Sequence, residues 1–167
     1  MPQWLVDFCT WLQQTHFSQV LQNVEWIIPA IQTVHILCIG AVISAALALT
    51  LRQFGLLAAD QPLARASIAF LRVIWLALPV LLVTGSLLVV AEPNRSLGSP
   101  AFQLKMLLLV CVVALLIAYQ RRFVRVAASG RETRVGTRRG EAAAIAALFL
   151  WVCIIFAGRW IAYAAGK

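Results

Sequence analysis

The chain has two histidines, His16 and His35, and only His35 lies inside an apolar run, in the stretch AIQTVHILCIG. An imidazole there is the residue type that ligates haem iron or copper, moves a proton, or hydrogen-bonds a neighbouring helix. Glu25, Gln32 and His35 are seven and three residues apart, a spacing that puts them on one side of a helix. Lys105 and Arg159 also interrupt apolar runs, while Arg72, near the cytoplasmic end of its run, reads as a flanking charge. A charge at mid-membrane costs roughly 2.5 to 3.5 kcal/mol on insertion scales, so such a residue is expected to face protein or water, or to snorkel to the headgroups. At about 1.5 Å per residue from the outer boundary of each run, Lys105 is about 6 Å deep, Arg159 about 9 Å and His35 about 13 Å. The common depth predicts one outward-facing polar pocket lined by His35, Gln32, Lys105 and Arg159. Two cations in it need a negative partner between them, a ligand or Glu25 or Glu92.

Membrane helices are the elements that must position these residues. Of 167 residues 62% are hydrophobic and only 12% charged, and the mean hydropathy is +0.89, which excludes an ordinary soluble domain. The apolar residues fall into four runs, about 26–51, 66–91, 101–119 and 142–165, each near the roughly 20 residues that cross a hydrocarbon core. The fold class is therefore all-α integral membrane, a four-helix bundle over residues 25–167. Residues 1–24 are too polar to span, but Trp4, Leu5, Phe8, Trp11 and Leu12 recur at helical spacing, as in an amphipathic helix lying at the interface. MPQWLVDF lacks the basic start of a signal peptide, so the N-terminus is expected to be retained. Pro79 predicts a kink in the second span, and Ser99 with Pro100 predicts N-cap and first helical position of the third.

The net charge is +8, and its placement says more than its sum. Seven arginines sit in the segment QRRFVRVAASGRETRVGTRRGE, and Arg52 and Arg65 add two on the same side; the other side has Arg95 and Lys167. Short cytoplasmic loops retain positive charge, so both termini are expected outside, in the periplasm, with the arginine-rich loop in the cytoplasm. That loop, residues 120–140, is expected to meet anionic lipid, and nucleic acid is not an expected partner. Gly40, Ser44 and Ala48 form a stripe of small residues that suits close helix packing, within the chain or in a homo-oligomer. Cys9, Cys38, Cys111 and Cys153 show no paired spacing, so neither a disulfide framework nor a zinc site is expected.

VHILCIGAVISAAL in the first span, LLVTGSLLVVAEP closing the second and SPAFQLKMLLLVCVVALLIAYQRR in the third together resemble the CopD-like, copper-resistance D related membrane domains of bacteria. The resemblance covers about residues 26–122, and its most specific element is Lys105 following a span that contains Thr84 and Gly85. It implies a helical bundle in the bacterial inner membrane, linked in some relatives with copper uptake. Beyond Met1 the chain has one methionine, Met106, and no cluster of soft ligands to pass copper inward.

Three functions remain open. One is a haem b carrier resembling cytochrome b in electron transfer, with His35 as axial ligand, Lys105 and Arg159 near the propionates, and the second ligand from Met106, from His16 or from a second copy's His35. Another is binding or transport of a small anion, a quinone or a copper ion in the outer pocket. The last is a structural or accessory subunit whose polar groups fix helix packing. No catalytic constellation is visible: there is no Ser/His/Asp set, no carboxylate pair, no phosphate-binding glycine loop and no HExxH.

Overall fold

A computed structural model describes residues 3–57, 62–97, 99–128 and 137–164. Expectations that concern residues 129–136, Lys167 and the end of the fourth span at Ala165 lie outside them. The described residues are helical throughout, with no strand: α1 (Gln3–Gln13), α2 (His16–Asn23), α3 (Ile27–Gln53), α4 (Leu63–Ala91), α5 (Pro93–Leu97), α6 (Pro100–Ala128) and α7 (Arg138–Ala164). Within α3, α4, α6 and α7 run four segments long and apolar enough to cross a bilayer, as the four apolar runs predict, so this is a multi-pass membrane protein.

The long helices pack in a ring. α3 lies beside α4 and α7, and α6 beside α7 and α4, so α3 and α6 face each other diagonally across the interior. Each helix turns one stripe inward: Val42, Ala45, Ala46 and Leu49 from α3, Leu71 and Ile74 from α4, Val112 and Leu116 from α6, and Ala147, Trp151 and Ile154 from α7. The core is uneven along the axis. No residue of α3 before Val42 is buried, and none of α6 between Pro100 and Cys111. Packing is tight toward the arginine-rich end and loose toward the other.

Polar groups tie the tight end. Gln53 donates its side-chain amide to the Tyr119 hydroxyl, and Thr50 Oγ1 reaches both Ala46 O at 2.9 Å and Ala144 O at 3.4 Å. Arg52, read from sequence as a loop-flanking charge, is fully buried here, as are Gln53 and Ser67. A methyl group at Gly140 would meet the end of the Gln53 side chain, Oε1, at 2.9 Å, so a side chain there would have to push Gln53 aside where α7 comes against α3. α3 then stops at Gly55, whose φ of +73° lets Leu56 N–H return to Leu51 O at 3.0 Å, the six-to-one bond of a glycine-terminated helix.

The opposite end is capped by the short helices. Ser18 Oγ donates to Val90 O at 2.8 Å and Gln22 Nε2 to Ala91 O at 2.7 Å, satisfying carbonyls that the last turn of α4 leaves without helical partners. The N-terminal segment is two helices rather than one, broken at Thr15, which caps α2 through Ser18 N–H. α6 begins at Pro100 as expected, but the Ser99 hydroxyl makes no hydrogen bond among the described residues. The Ser99 carbonyl accepts instead, from Phe102 N–H at 3.0 Å.

The small-residue stripe faces away from the bundle: Gly40 and Ser44 are exposed, and a Cβ at Gly40 would meet nothing within 4 Å. Gly140→Leu should therefore lower the thermal unfolding midpoint in detergent, by the equivalent of about 1 to 3 kcal/mol, while Gly40→Leu leaves it unchanged. The reverse order would mean that the Gly40 face is packed against a second copy.

Candidate functional site

His35 sits on the inward stripe of α3, one helical repeat before Val42, and is half-buried. Its Nδ1 lies 2.7 Å from Thr84 Oγ1 on α4. Thr84 is buried, and its hydroxyl also reaches Val80 O at 2.7 Å. A hydroxyl has one proton, and the bond back to the carbonyl four residues earlier takes it. Thr84 Oγ1 is then the acceptor and His35 Nδ1–H the donor. This fixes the neutral tautomer and leaves the lone pair on Nε2. The ring also lies beside Gly85, next to Thr84: a Cβ there would be in ordinary contact with His35 Cε1, at 3.5 Å.

Lys105 arrives from the diagonal helix. It shares the inward stripe of α6 with Val112, Leu116 and Tyr119 and is itself only half-exposed. Its stem and ammonium lie along α7, where a Cβ at Gly158 would be 3.8 Å from Nζ and 3.9 Å from Cδ. Two contacts thus link the helices in pairs: the imidazole of α3 with Thr84 of α4, and the ammonium of α6 with the Gly158 position of α7.

The other residues expected in the pocket do not join it. Gln32 and Glu25 are exposed, as are Met106 and Arg159. The reason is angular. At about 100° per residue Gln32 is turned about 60° to one side of His35, whereas Ile31, Cys38 and Val42 turn to the other side, toward the bundle. On α7 the position centred on the inward stripe is Gly158, and Arg159, one residue on, is swung off it; Met106 stands in the same relation to Lys105.

These placements decide what the site can hold. His35 offers one nitrogen ligand, Met106 is turned outward, and His16 is an exposed residue of α2, so a haem with two axial ligands from this chain does not fit. Among the described residues no three His, Cys, Asp or Glu side chains come together as a metal site. What remains is a half-buried cation on α6 and a half-buried imidazole on α3 with a free acceptor nitrogen. His35 and Lys105, singled out by sequence, both lie on inward stripes of their helices. From sequence, Thr84 and Gly85 carry no assigned role and Gly158 is missed. The signal for Thr84 was its seven-residue spacing from Ala77 and Ala91, both buried.

Comparison of the chain with family models, with curated proteins and with solved structures gives no match.

The tautomer is directly measurable, because two histidines give two ring systems in a spectrum of 15N-histidine-labelled protein. At neutral pH the His35 ring should show a protonated Nδ1. Thr84→Val should shift it toward the Nε2–H form common in free imidazole, with His16 unaffected. A His35 ring already in the Nε2–H form would overturn the assignment.

Proposed function

We propose that the protein binds a small organic anion or a quinone in the half of the bundle opposite the arginine-rich end, between Lys105 and His35. The observation that carries this is the lysine. Lys105 is held inside the bundle against Gly158, and no carboxylate is bonded to it among the described residues. A partly buried ammonium is costly without a counter-charge or a hydrogen-bond acceptor; a ligand carboxylate would supply the first and a quinone carbonyl oxygen the second. The second polar contact is Nε2 of His35, which accepts a hydrogen bond from a ligand hydroxyl or donates once protonated. The apolar residues on the same stripes, Phe102, Leu108 and Leu109 of α6, suit an amphipathic ligand body.

The positive-inside rule places this site toward the periplasm and the arginine-rich end in the cytoplasm of a bacterial inner membrane. α1 and α2, which expose Trp4, Phe8, Trp11 and Phe17, then lie at the outer headgroups, where aromatic rings are favoured. In a cysteine-free background, Glu25→Cys should react with an impermeant maleimide added to whole spheroplasts, and Arg138→Cys only after permeabilisation.

Ligand binding is tested on 15N-histidine-labelled protein in nanodiscs, with octanoate as the anionic probe and menadione as the quinone. One of the two probes should move the His35 ring resonances, and Lys105→Met should weaken that response about tenfold or more, the scale of a lost charge-assisted bond. No response to either probe would overturn the reading. An absorption spectrum serves as the second check: a Soret band that disappears in His35→Ala would replace the anion with a haem shared between copies.

A further inference from the structure

The arginine-rich end contains a second feature, remote from His35 and Lys105 and independent of what binds there. Arg121, Arg122 and Arg125 are all exposed and with Ala118 line an open cleft of about 390 Å³ on the side of α6. The four positions span one helical repeat on one face, and the small side chain of Ala118 leaves the floor shallow. The cleft lies at the bilayer boundary, since the apolar span of α6 ends at Arg122. One of the three guanidiniums is held in place: Arg122 donates to Thr137 Oγ1 at 2.5 Å, and Thr137 in turn accepts from Gly140 N–H at 3.3 Å, at the start of α7.

The charge around this cleft is unbalanced in a particular way. The first turn of α7 carries Arg138 and Arg139, both exposed, at a helix terminus where backbone N–H groups favour negative charge and disfavour positive. Glu141 is the one acidic residue of that turn. The bond from Arg122 to Thr137 brings this positive helix start, with its two exposed guanidiniums, up to the arginine face of α6, an accumulation of positive charge that a bound anion relieves. Guanidiniums bind phosphate through paired N–H donors, better than an ammonium does.

We propose that this cleft is a phosphate-binding site for the headgroup of an anionic phospholipid in the adjoining leaflet or for free phosphate, with Arg121 and Arg125 as the jaws and Arg122, fixed by Thr137, as the base. It differs from diffuse attraction between a basic loop and an acidic surface: the position of the charges matters, not only their number.

Native mass spectrometry of the full chain released from nanodiscs tests this, comparing phosphatidylglycerol with phosphatidylcholine. The wild type should retain phosphatidylglycerol preferentially. Arg121→Gln/Arg125→Gln should reduce that retention roughly thirtyfold, at about a factor of five per arginine. Arg131→Gln/Arg134→Gln removes the same charge from the same arginine-rich stretch of sequence and should change it little. Both double variants retain Arg122 and its bond to Thr137, and circular dichroism checks their helix content. If millimolar inorganic phosphate displaces the lipid, or binds in neutral phosphatidylcholine nanodiscs, the source is free phosphate; if it does neither, the source is the lipid. Equal loss in the two double variants, or no preference for phosphatidylglycerol in the wild type, would overturn the proposal.

Discussion

The bundle is held by an apolar plug at one end only. Val42, Ile74 and Val112 have no exposed surface and Leu116 almost none, and with Leu49, Leu71 and Trp151 they lock four helices over the half nearest the arginines. Helix association in a bilayer relies on close fit, since lipid tails are as apolar as leucine. Where the fit ends, the helices have less reason to stay close. The polar residues His35, Thr84 and Lys105 lie in the half where it has ended, so the site depends on the core stopping short.

A second polar layer closes the plug from the other side. Thr50, Gln53 and Tyr119 join α3, α6 and α7 through side-chain hydrogen bonds, and Gly140 at the start of α7 lies against the end of the Gln53 side chain. At the opposite end of α7, Lys105 runs past Gly158 at a distance that a side chain there would also tolerate.

The architecture was legible because hydropathy over about twenty residues is a strong signal and the loops are short. The identity of His35 and Lys105 as inward groups was legible from the rarity of ionisable residues in such runs. The pocket's composition was read less well. Spacings of three and seven predict Gln32 and Glu25 on the side of His35, yet the buried stripe of α3 is narrow and lies to the other side of that histidine. The resolution needed is about half of the angle between successive residues, and no single-sequence pattern supplies it without knowing which neighbour the helix faces. Arg52 was misread for a different reason: a charge at a helix end ordinarily belongs to the loop, and its burial depends on where α7 and α6 end relative to it.

The hydrogen bonds from α2 to the end of α4 join residues 72 and 69 positions apart. During synthesis the N-terminal segment emerges first, but Val90 and Ala91 follow only after two spans have been made. Until then Ser18 and Gln22 have no carbonyls to bond, and α2 must wait at the membrane surface as an unanchored amphipathic segment. The cap is thus first in order of translation and late in order of assembly, and a chain stalled before residue 90 would display its tryptophans with nothing to fasten them.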